Sequence, residues 1–242
     1  MTTEMQDPLF GAKNHIHLLL DPDKWSAAEV KRLVKQIPDS IGSIIVGGSY
    51  THGGGFHEVM ESCRSSNLPL GNFLSAGPID SILSPLASFV LVPVVLGSTS
   101  SRFLVDHLIT AAPAIRRLNL HVYAVAYLML DGGRPTSAQF FTQTLPLPRH
   151  TPEIIGTLCS AARQLGLAGV YLEAGSGATA PVTPEEVTVA REASRLPVLA
   201  GGGISSLETC QTLLGAGANG VIIGTAVEKR RSLKWLTPKD RR

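Results

Sequence analysis

Three short stretches of this chain carry residue types that hold an anion through the backbone: Tyr171-Leu172-Glu173-Ala174-Gly175-Ser176-Gly177, Gly201-Gly202-Gly203-Ile204 and Gly224-Thr225. Glycine has no Cβ to keep an anion away from neighbouring N–H groups. A helix starting just after such a loop adds roughly half a positive charge. Ser205 and Leu207 lead into one such helix and Thr225 into another. A single glycine triplet often does no more than make a turn. Recurring at successive strand ends, these stretches read as a phosphate cradle. Tyr171 and Glu173 alternate with Leu172, so they share one strand face. A carboxylate there can accept a hydrogen bond from a sugar-like or glycerol hydroxyl; the alternative is a Tyr–Glu pair that only braces the wall.

A second polar centre lies near the N-terminus, in Asp21-Pro22-Asp23-Lys24 and Gly47-Gly48-Ser49. Hard oxygens at two neighbouring strand ends suit Mg2+, which takes one or two carboxylates, substrate phosphate oxygens and retained waters. Asp21 follows its strand directly and is the better ligand candidate. Asp23 is placed to cap the helix near Trp25, and Lys24 to open it. On the residues alone, metal binding and a plain turn stay equally open. His15 and His17 share a strand face but lack a third ligand, and read as barrel residues. No nucleophilic triad, Walker loop or dinucleotide fingerprint occurs, and nucleic acid is not an expected partner. Cys63, Cys159 and Cys210 are isolated and read as core thiols.

Parallel strands covered by helices must position these residues. Nearly continuous apolar runs at His15–Leu20, Ser43–Val46, Leu70–Leu74, Phe89–Val95, Val122–Leu130, Gly169–Leu172, Val198–Ala200 and Gly220–Ile223 read as eight buried strands. Amphipathic segments fall between them: Ala27–Gln36, Phe56–Ser65, Phe103–Leu118, Pro152–Leu165, Pro184–Ser194 and Leu207–Leu214. Thr183, Pro184 and Glu186 form a capping-box start. The alternation predicts an α/β fold, a (β/α)8 TIM barrel in a single domain spanning 1–242, with its site at the mouth after the strands. Gly77, Pro78 and Pro85 leave an irregular segment in place of the third helix, and residues 131–151 form a long insertion.

Composition is consistent with this: 242 residues, 44% hydrophobic and 17% charged, near the roughly 250 a barrel needs. No run reaches the roughly 20 apolar residues of a membrane span, and no signal peptide is evident, so a cytoplasmic protein is expected. The tail from Lys229 to Arg242 holds seven basic side chains and one acid, interleaved with Leu233, Trp235 and Leu236. It is expected to be solvated, with peripheral contact to anionic lipid headgroups or contact to a polyanionic substrate as the alternative.

The motifs HIHLLLDPDK (15–24), IIVGGS (44–49), PVVLGS (93–98), YLEAGSGA (171–178), AGGGI (200–204) and IIGTAVE (222–228) resemble, in order, those of the geranylgeranylglyceryl and heptaprenylglyceryl phosphate synthases. The resemblance implies Mg2+-dependent transfer of a prenyl group from an allylic polyprenyl diphosphate to a phosphorylated three-carbon acceptor, sn-glycerol 1-phosphate first. It implies Asp21 and Ser49 as metal ligands. It places Tyr171, Leu172, Glu173, Ala174, Gly175, Ser176, Gly177, Gly202, Gly203, Gly224 and Thr225 around the acceptor, with Glu173 and Tyr171 catalytic. An apolar groove would take the tail, with Leu91, Val94, Val95 and Leu96 either facing it or, equally, packing the barrel, and a homodimer is implied. Gly97 and Thr225 stand where the family usually has asparagine. These departures keep 3-phosphoglycerate open as an acceptor, with Thr225, Arg102 and Arg134 as candidates for its carboxylate. A phosphosugar isomerase or aldolase, or a non-catalytic phosphate-binding barrel, are the more distant alternatives.

Overall fold

The computed structural model describes residues 7–11, 15–52, 54–79 and 82–237. Eight parallel strands, β1 (Ile16–Leu20), β2 (Ile41–Val46), β3 (Leu70–Phe73), β4 (Phe89–Val95), β5 (His121–Met129), β6 (Gly169–Glu173), β7 (Val198–Gly201) and β8 (Gly220–Ile223), pair in chain order, and β8 returns to β1. Helices α1 (Ala27–Val34), α2 (Phe56–Cys63), α3 (Asp106–Leu118), α4 (Ser137–Thr142), α5 (Pro152–Gln164), α6 (Pro184–Ser194), α7 (Leu207–Gly215) and α8 (Thr225–Arg230) lie between or after them. This is the expected (β/α)8 barrel.

Local chemistry sets the helix starts. Thr183 Oγ1 accepts the Glu186 N–H at 3.3 Å and Glu186 accepts the Thr183 N–H at 2.8 Å, closing the predicted box at α6. At α1 the cap is Ser26, whose hydroxyl accepts from the Glu29 N–H, and not Asp23. The Asp23 carboxylate instead binds His52, at 2.9 Å from Nδ1 and 3.2 Å from the backbone N–H. Phe103 belongs to a 3-10 turn, Ser101–Phe103, capped by Ser100, and α3 begins only at Asp106. No α-helix joins β3 to β4 among the described residues. There the buried Asn72 fills the gap, its amide oxygen accepting the Ser84 N–H at 3.0 Å.

Strand alternation sorts the core into two shells. Phe73, Phe89, Leu91, Val95, Tyr123, Tyr127, Tyr171 and Leu199 fill the barrel, while Leu18, Ile44, Val90, Val92, Leu172 and Val221 pack outward against helices. A β-carbon on Gly71 would strike the Phe89 ring, so large and vanishing side chains share one layer. Leu9 closes the bottom, held by Asp7, whose carboxylate accepts the Leu9 and Phe10 N–H groups and the Tyr123 hydroxyl. His17 sits in this lower layer, 2.8 Å from Ser43 Oγ, and burial lowers its pKa to about 4. It is a neutral barrel residue, while His15 donates to the Asn219 carbonyl. The three cysteines are buried, and burial pushes their thiols up to about 12.

The tail departs from its expected solvated state. Leu233 and Leu236 are fully buried in the helix-facing core. Arg230 stacks 4.9 Å from the Trp235 ring centroid and Arg231 4.3 Å from that of Trp25. The apolar side chains that point to lipid contact in the sequence are therefore spent on the barrel, as aromatic–cation contacts fold the segment back. Residues 238–242 of that tail lie outside the described ones.

Arg149 ties the insertion after β5 to α6. It donates to both carboxylate oxygens of the buried Glu186 and to the Ala180 and Pro181 carbonyls. Arg149→Met leaves a buried carboxylate without its cation. Because Arg149 keeps 18% side-chain exposure, the expected loss is about 2–3 kcal/mol, below the full cost of breaking a buried pair, read by urea denaturation. An unchanged unfolding midpoint refutes it.

Candidate active site

The strand ends surround one cavity of about 430 Å3. On one side stand Glu173 at the end of β6 with Gly175, Ser176 and Gly177 after it, Gly202 and Gly203 after β7, and Gly224 and Thr225 after β8. The loops adopt the close approach that glycine permits: a β-carbon on Gly202 would collide with Glu173 and with the backbone nitrogens of Ala174 and Gly175. The Ser176 and Thr225 hydroxyls share a 2.8 Å hydrogen bond across the rim.

Glu173 is the fixed point of this side. Its Oε2 accepts the Tyr171 hydroxyl at 2.7 Å and its Oε1 the Gly175 N–H at 2.7 Å. Burial raises its pKa; the two hydrogen bonds pull it back without cancelling the shift. Burial, with the Glu173 charge beside them, holds Tyr171 and Tyr127 well above the usual tyrosine range, so both stay protonated donors. Tyr127 meets the Tyr171 ring edge-on at 5.0 Å. The carboxylate is thus locked in orientation and poorly solvated, which suits a group that accepts a proton or hydrogen bond from a bound hydroxyl.

Two residues expected in this cradle do not line the cavity. Leu172 packs outward, as strand alternation requires between Tyr171 and Glu173. Ala174 is buried, and its N–H is committed to the Gly201 carbonyl at 3.0 Å. They shape the loop from behind.

Across the cavity lie Asp21, Gly48 and Ser49. Lys24 does not open a helix. It lines the cavity, its Nζ 3.0 Å from Asp21 and 3.3 Å from Glu228 on α8. Burial alone would lower its pKa, but hydrogen bonds and charge from Asp21 and Glu228 raise it. The ammonium therefore stays charged and is unsuited to Schiff-base chemistry. No cluster of three or more His, Cys, Asp or Glu that could bind a metal occurs among the described residues. A carboxylate and a hydroxyl facing a substrate cavity are nonetheless the sparse oxygen set that Mg2+ accepts, since it keeps waters and takes phosphate oxygens.

Phe73, Pro93, Val95, Phe103, Met129 and Ile222 form the apolar wall between the two centres. Of the four predicted groove residues only Val95 lines it. Leu91 lies inside the barrel, whereas Leu96 packs with the helix-facing shell and Val94 shares the outward parity of Val90 and Val92. The insertion after β5 forms the roof: Arg134 to Gln139 and Thr142 line the cavity. α4 begins with a capping box, Thr136 and Gln139, and Ser137 donates to the Ser49 hydroxyl at 3.3 Å. Phe141 on α4 stacks on Tyr50 at 4.9 Å, joining the roof to the loop after β2. Arg134 leans over the cradle, since a Gly177 β-carbon would lie 3.6 Å from its Nη1. Arg102 is not among the lining residues.

A closed parallel barrel with a glycine-rich rim after its sixth to eighth strands, opening on one cavity, defines a (β/α)8 fold with its candidate site at the mouth. The chain belongs to the PcrB family, whose profile matches residues 10–237. The geranylgeranylglyceryl phosphate synthase of Korarchaeum cryptofilum is 36% identical over 216 residues, covering 88% of this chain and 87% of that protein. That of Thermococcus gammatolerans is 34% identical over 235 residues, covering 94% and 90%. The crystal structure of (S)-3-O-geranylgeranylglyceryl phosphate synthase from Thermoplasma acidophilum, in complex with its substrate sn-glycerol-1-phosphate, superposes with a TM-score of 0.81 at 25% identity, covering 92% of this chain and 89% of that one. The protein is accordingly a prenyltransferase.

Proposed function

We propose that the protein joins the prenyl group of an allylic polyprenyl diphosphate to a hydroxyl of sn-glycerol 1-phosphate through an ether bond, with Mg2+. The observation that carries this reading is one cavity holding a Cβ-free cradle with an oriented carboxylate on one side and the Asp21–Lys24–Ser49 cluster on the other. The apolar wall between them suits the tail. The relatives' names, and the acceptor bound in the Thermoplasma enzyme, support the same pair of substrates.

The cradle N–H groups and the Ser176 and Thr225 hydroxyls hold the acceptor phosphate, which fixes the hydroxyl against Glu173. The prenyl C1–O bond to diphosphate breaks, a C1–O bond to the acceptor oxygen forms, and the hydroxyl proton passes to Glu173. Tyr171 keeps the carboxylate aimed. Lys24 offers a cation to the departing diphosphate. Bound through Asp21 and Ser49, Mg2+ would supply charge stabilisation to that leaving group. The rest is positioning.

Incubating the protein with Mg2+, labelled geranylgeranyl diphosphate and sn-glycerol 1-phosphate tests the reading; it fails if no organic-extractable phosphate ether forms. Asp21→Ala should lower turnover about a hundredfold, equivalent to about 2.7 kcal/mol of lost leaving-group stabilisation. Calorimetry should show acceptor binding retained and Mg2+-dependent diphosphate binding lost. Unchanged diphosphate binding would remove Asp21 from the metal site.

One observation favours a second acceptor. Among the described residues no carboxylate pairs with Arg134, which stands beside Gly177 and Thr225 at the cradle rim. A free guanidinium there could meet the carboxylate of 3-phosphoglycerate, and competition between the two acceptors decides which is preferred.

A further inference from the structure

Lys24 is shared between two carboxylates at the cavity rim. Its Nζ lies 3.0 Å from Asp21 Oδ2, and 3.3 and 3.5 Å from the two carboxylate oxygens of Glu228 on α8. Its backbone is pinned on both sides. The N–H donates to the Asp21 carbonyl at 2.9 Å, and the carbonyl accepts from Arg231 Nη1 at 3.0 Å. The freedom left to the residue is that of a four-carbon stem, half exposed along the cavity wall.

The Asp21 carboxylate is more constrained. Its Oδ1 accepts the Asp23 N–H at 3.1 Å. Gly48 closes its flank, where a β-carbon would stand 3.1 Å from Oδ2 and 3.2 Å from Oδ1. Oδ2 is the oxygen that the ammonium covers. Glu228 is placed differently. It lines the same cavity, its side chain is only 14% exposed, and its one ion pair among the described residues is with Lys24.

A divalent ion needs the very oxygen that the ammonium holds, and two cations on one carboxylate oxygen repel each other. Lys24 must therefore leave Asp21 before a metal can settle there. A second carboxylate, already in contact with Nζ and facing no other cation, gives the ammonium a place to go. Without it, the ammonium would leave a carboxylate for water alone.

We propose that Lys24 fills the cation place on Asp21 until the metal arrives, and then passes to Glu228. Glu228 is on this account a positioning residue for the transfer reaction. Held on α8, the ammonium stays on the cavity wall, beside the departing diphosphate. The inference rests on the assignment of Asp21 to the metal in the prenyl-transfer reading.

The test is binding of Mn2+, a metal of the same oxygen preference, to the full-length chain without prenyl substrate, read by water-proton relaxation. Lys24→Met should bind Mn2+ about tenfold more tightly than wild type and Glu228→Gln about tenfold more weakly, within the range for residues in contact. Both directions also follow if each charge acts on the metal independently. The double-mutant cycle separates the two accounts. Beside Lys24→Met, Glu228→Gln should weaken binding at least about fivefold less than it does in the wild type. Equal losses in the two backgrounds overturn the exchange, as does a Lys24→Met variant that binds Mn2+ no more tightly. A crystal structure with Mn2+ on Asp21 and Lys24 moved onto Glu228 upholds it; Lys24 still on Oδ2 overturns it. Asp21→Ala tells a failed exchange from a failed metal site. Unchanged Mn2+ affinity in that variant overturns the metal assignment and the exchange with it. Lost affinity there, with equal losses from Glu228→Gln in both backgrounds, overturns the exchange alone and leaves the prenyl-transfer reading standing.

Discussion

Replacing Glu173 with glutamine is expected to lower kcat by about 10²–10⁴-fold, the range covered by a positioned acid or base, with little change in the acceptor KM. Glutamine keeps the shape of the side chain but brings one acceptor oxygen for two donors. With that oxygen on the Gly175 N–H, the amide NH2 can donate to the Tyr171 hydroxyl oxygen, and the buried Tyr171 proton loses its acceptor. The ability to take a proton disappears as well. The pH profile gives an independent readout. Burial raises the Glu173 pKa, and the ionised form is the competent one, so wild-type activity should fall as pH drops through a value above the ordinary glutamate near 4.3. The glutamine variant should lack that acid limb. Stability moves the other way. A carboxyl whose pKa is raised by folding stabilises the fold while protonated, and that contribution is lost as pH rises through the raised value. At pH 7 glutamine removes the cost of the ionised group but leaves the buried Tyr171 donor without its acceptor, a cost of about 1–3 kcal/mol. Melting is therefore measured to show that the variant is folded, and the acid limb decides the role of Glu173. An unchanged kcat, or an acid limb that persists in the variant, would take Glu173 out of the chemistry.

The sequence makes the barrel legible because its evidence is local. Each buried strand is a short apolar run, and Phe89–Val95 and Gly220–Ile223 coincide with their observed bounds. The glycine loops are legible for the same reason, since a missing Cβ is visible in one residue. What sequence reasoning misses depends on contacts distant along the chain. Lys24 reads as part of a helix start because its partner Glu228 is 204 positions away. The tail reads as amphipathic because Leu233, Trp235 and Leu236 alternate with basic residues, and only the tertiary fold shows that they pack on the barrel. Val94 and Val95 are indistinguishable until the strand's parity is fixed. α4 hides in a proline-rich insertion, although Thr136-x-x-Gln139 is a capping pattern that could have revealed it.

Gly202→Ala should damage the cradle most. Gly202 has φ +85°, a left-handed conformation that costs an alanine about 1–2 kcal/mol. Its new methyl would also lie 2.5 Å from the Gly175 nitrogen and 2.8 Å from the Ala174 nitrogen. These are backbone atoms, one bonded to Glu173 and the other to Gly201, so neither can swing aside as a side chain would. Overpacking of this kind adds about 1–3 kcal/mol, for a total loss of roughly 2–5 kcal/mol in urea unfolding. The methyl also stands where an anion must approach, and relief can come only by pushing the loop after β6 away from the loop after β7. Affinity for glycerol 1-phosphate should then fall by at least about a hundredfold, the equivalent of 2.7 kcal/mol, in calorimetry. Gly215→Ala separates this from a general intolerance of glycine replacement. Gly215 ends α7, is exposed, and has open space where a β-carbon would stand, with nothing within 4 Å of it. Alanine there should leave acceptor affinity unchanged and stabilise the fold by up to about 1 kcal/mol. If Gly202→Ala binds the acceptor as tightly as wild type, the phosphate does not sit between these two loops.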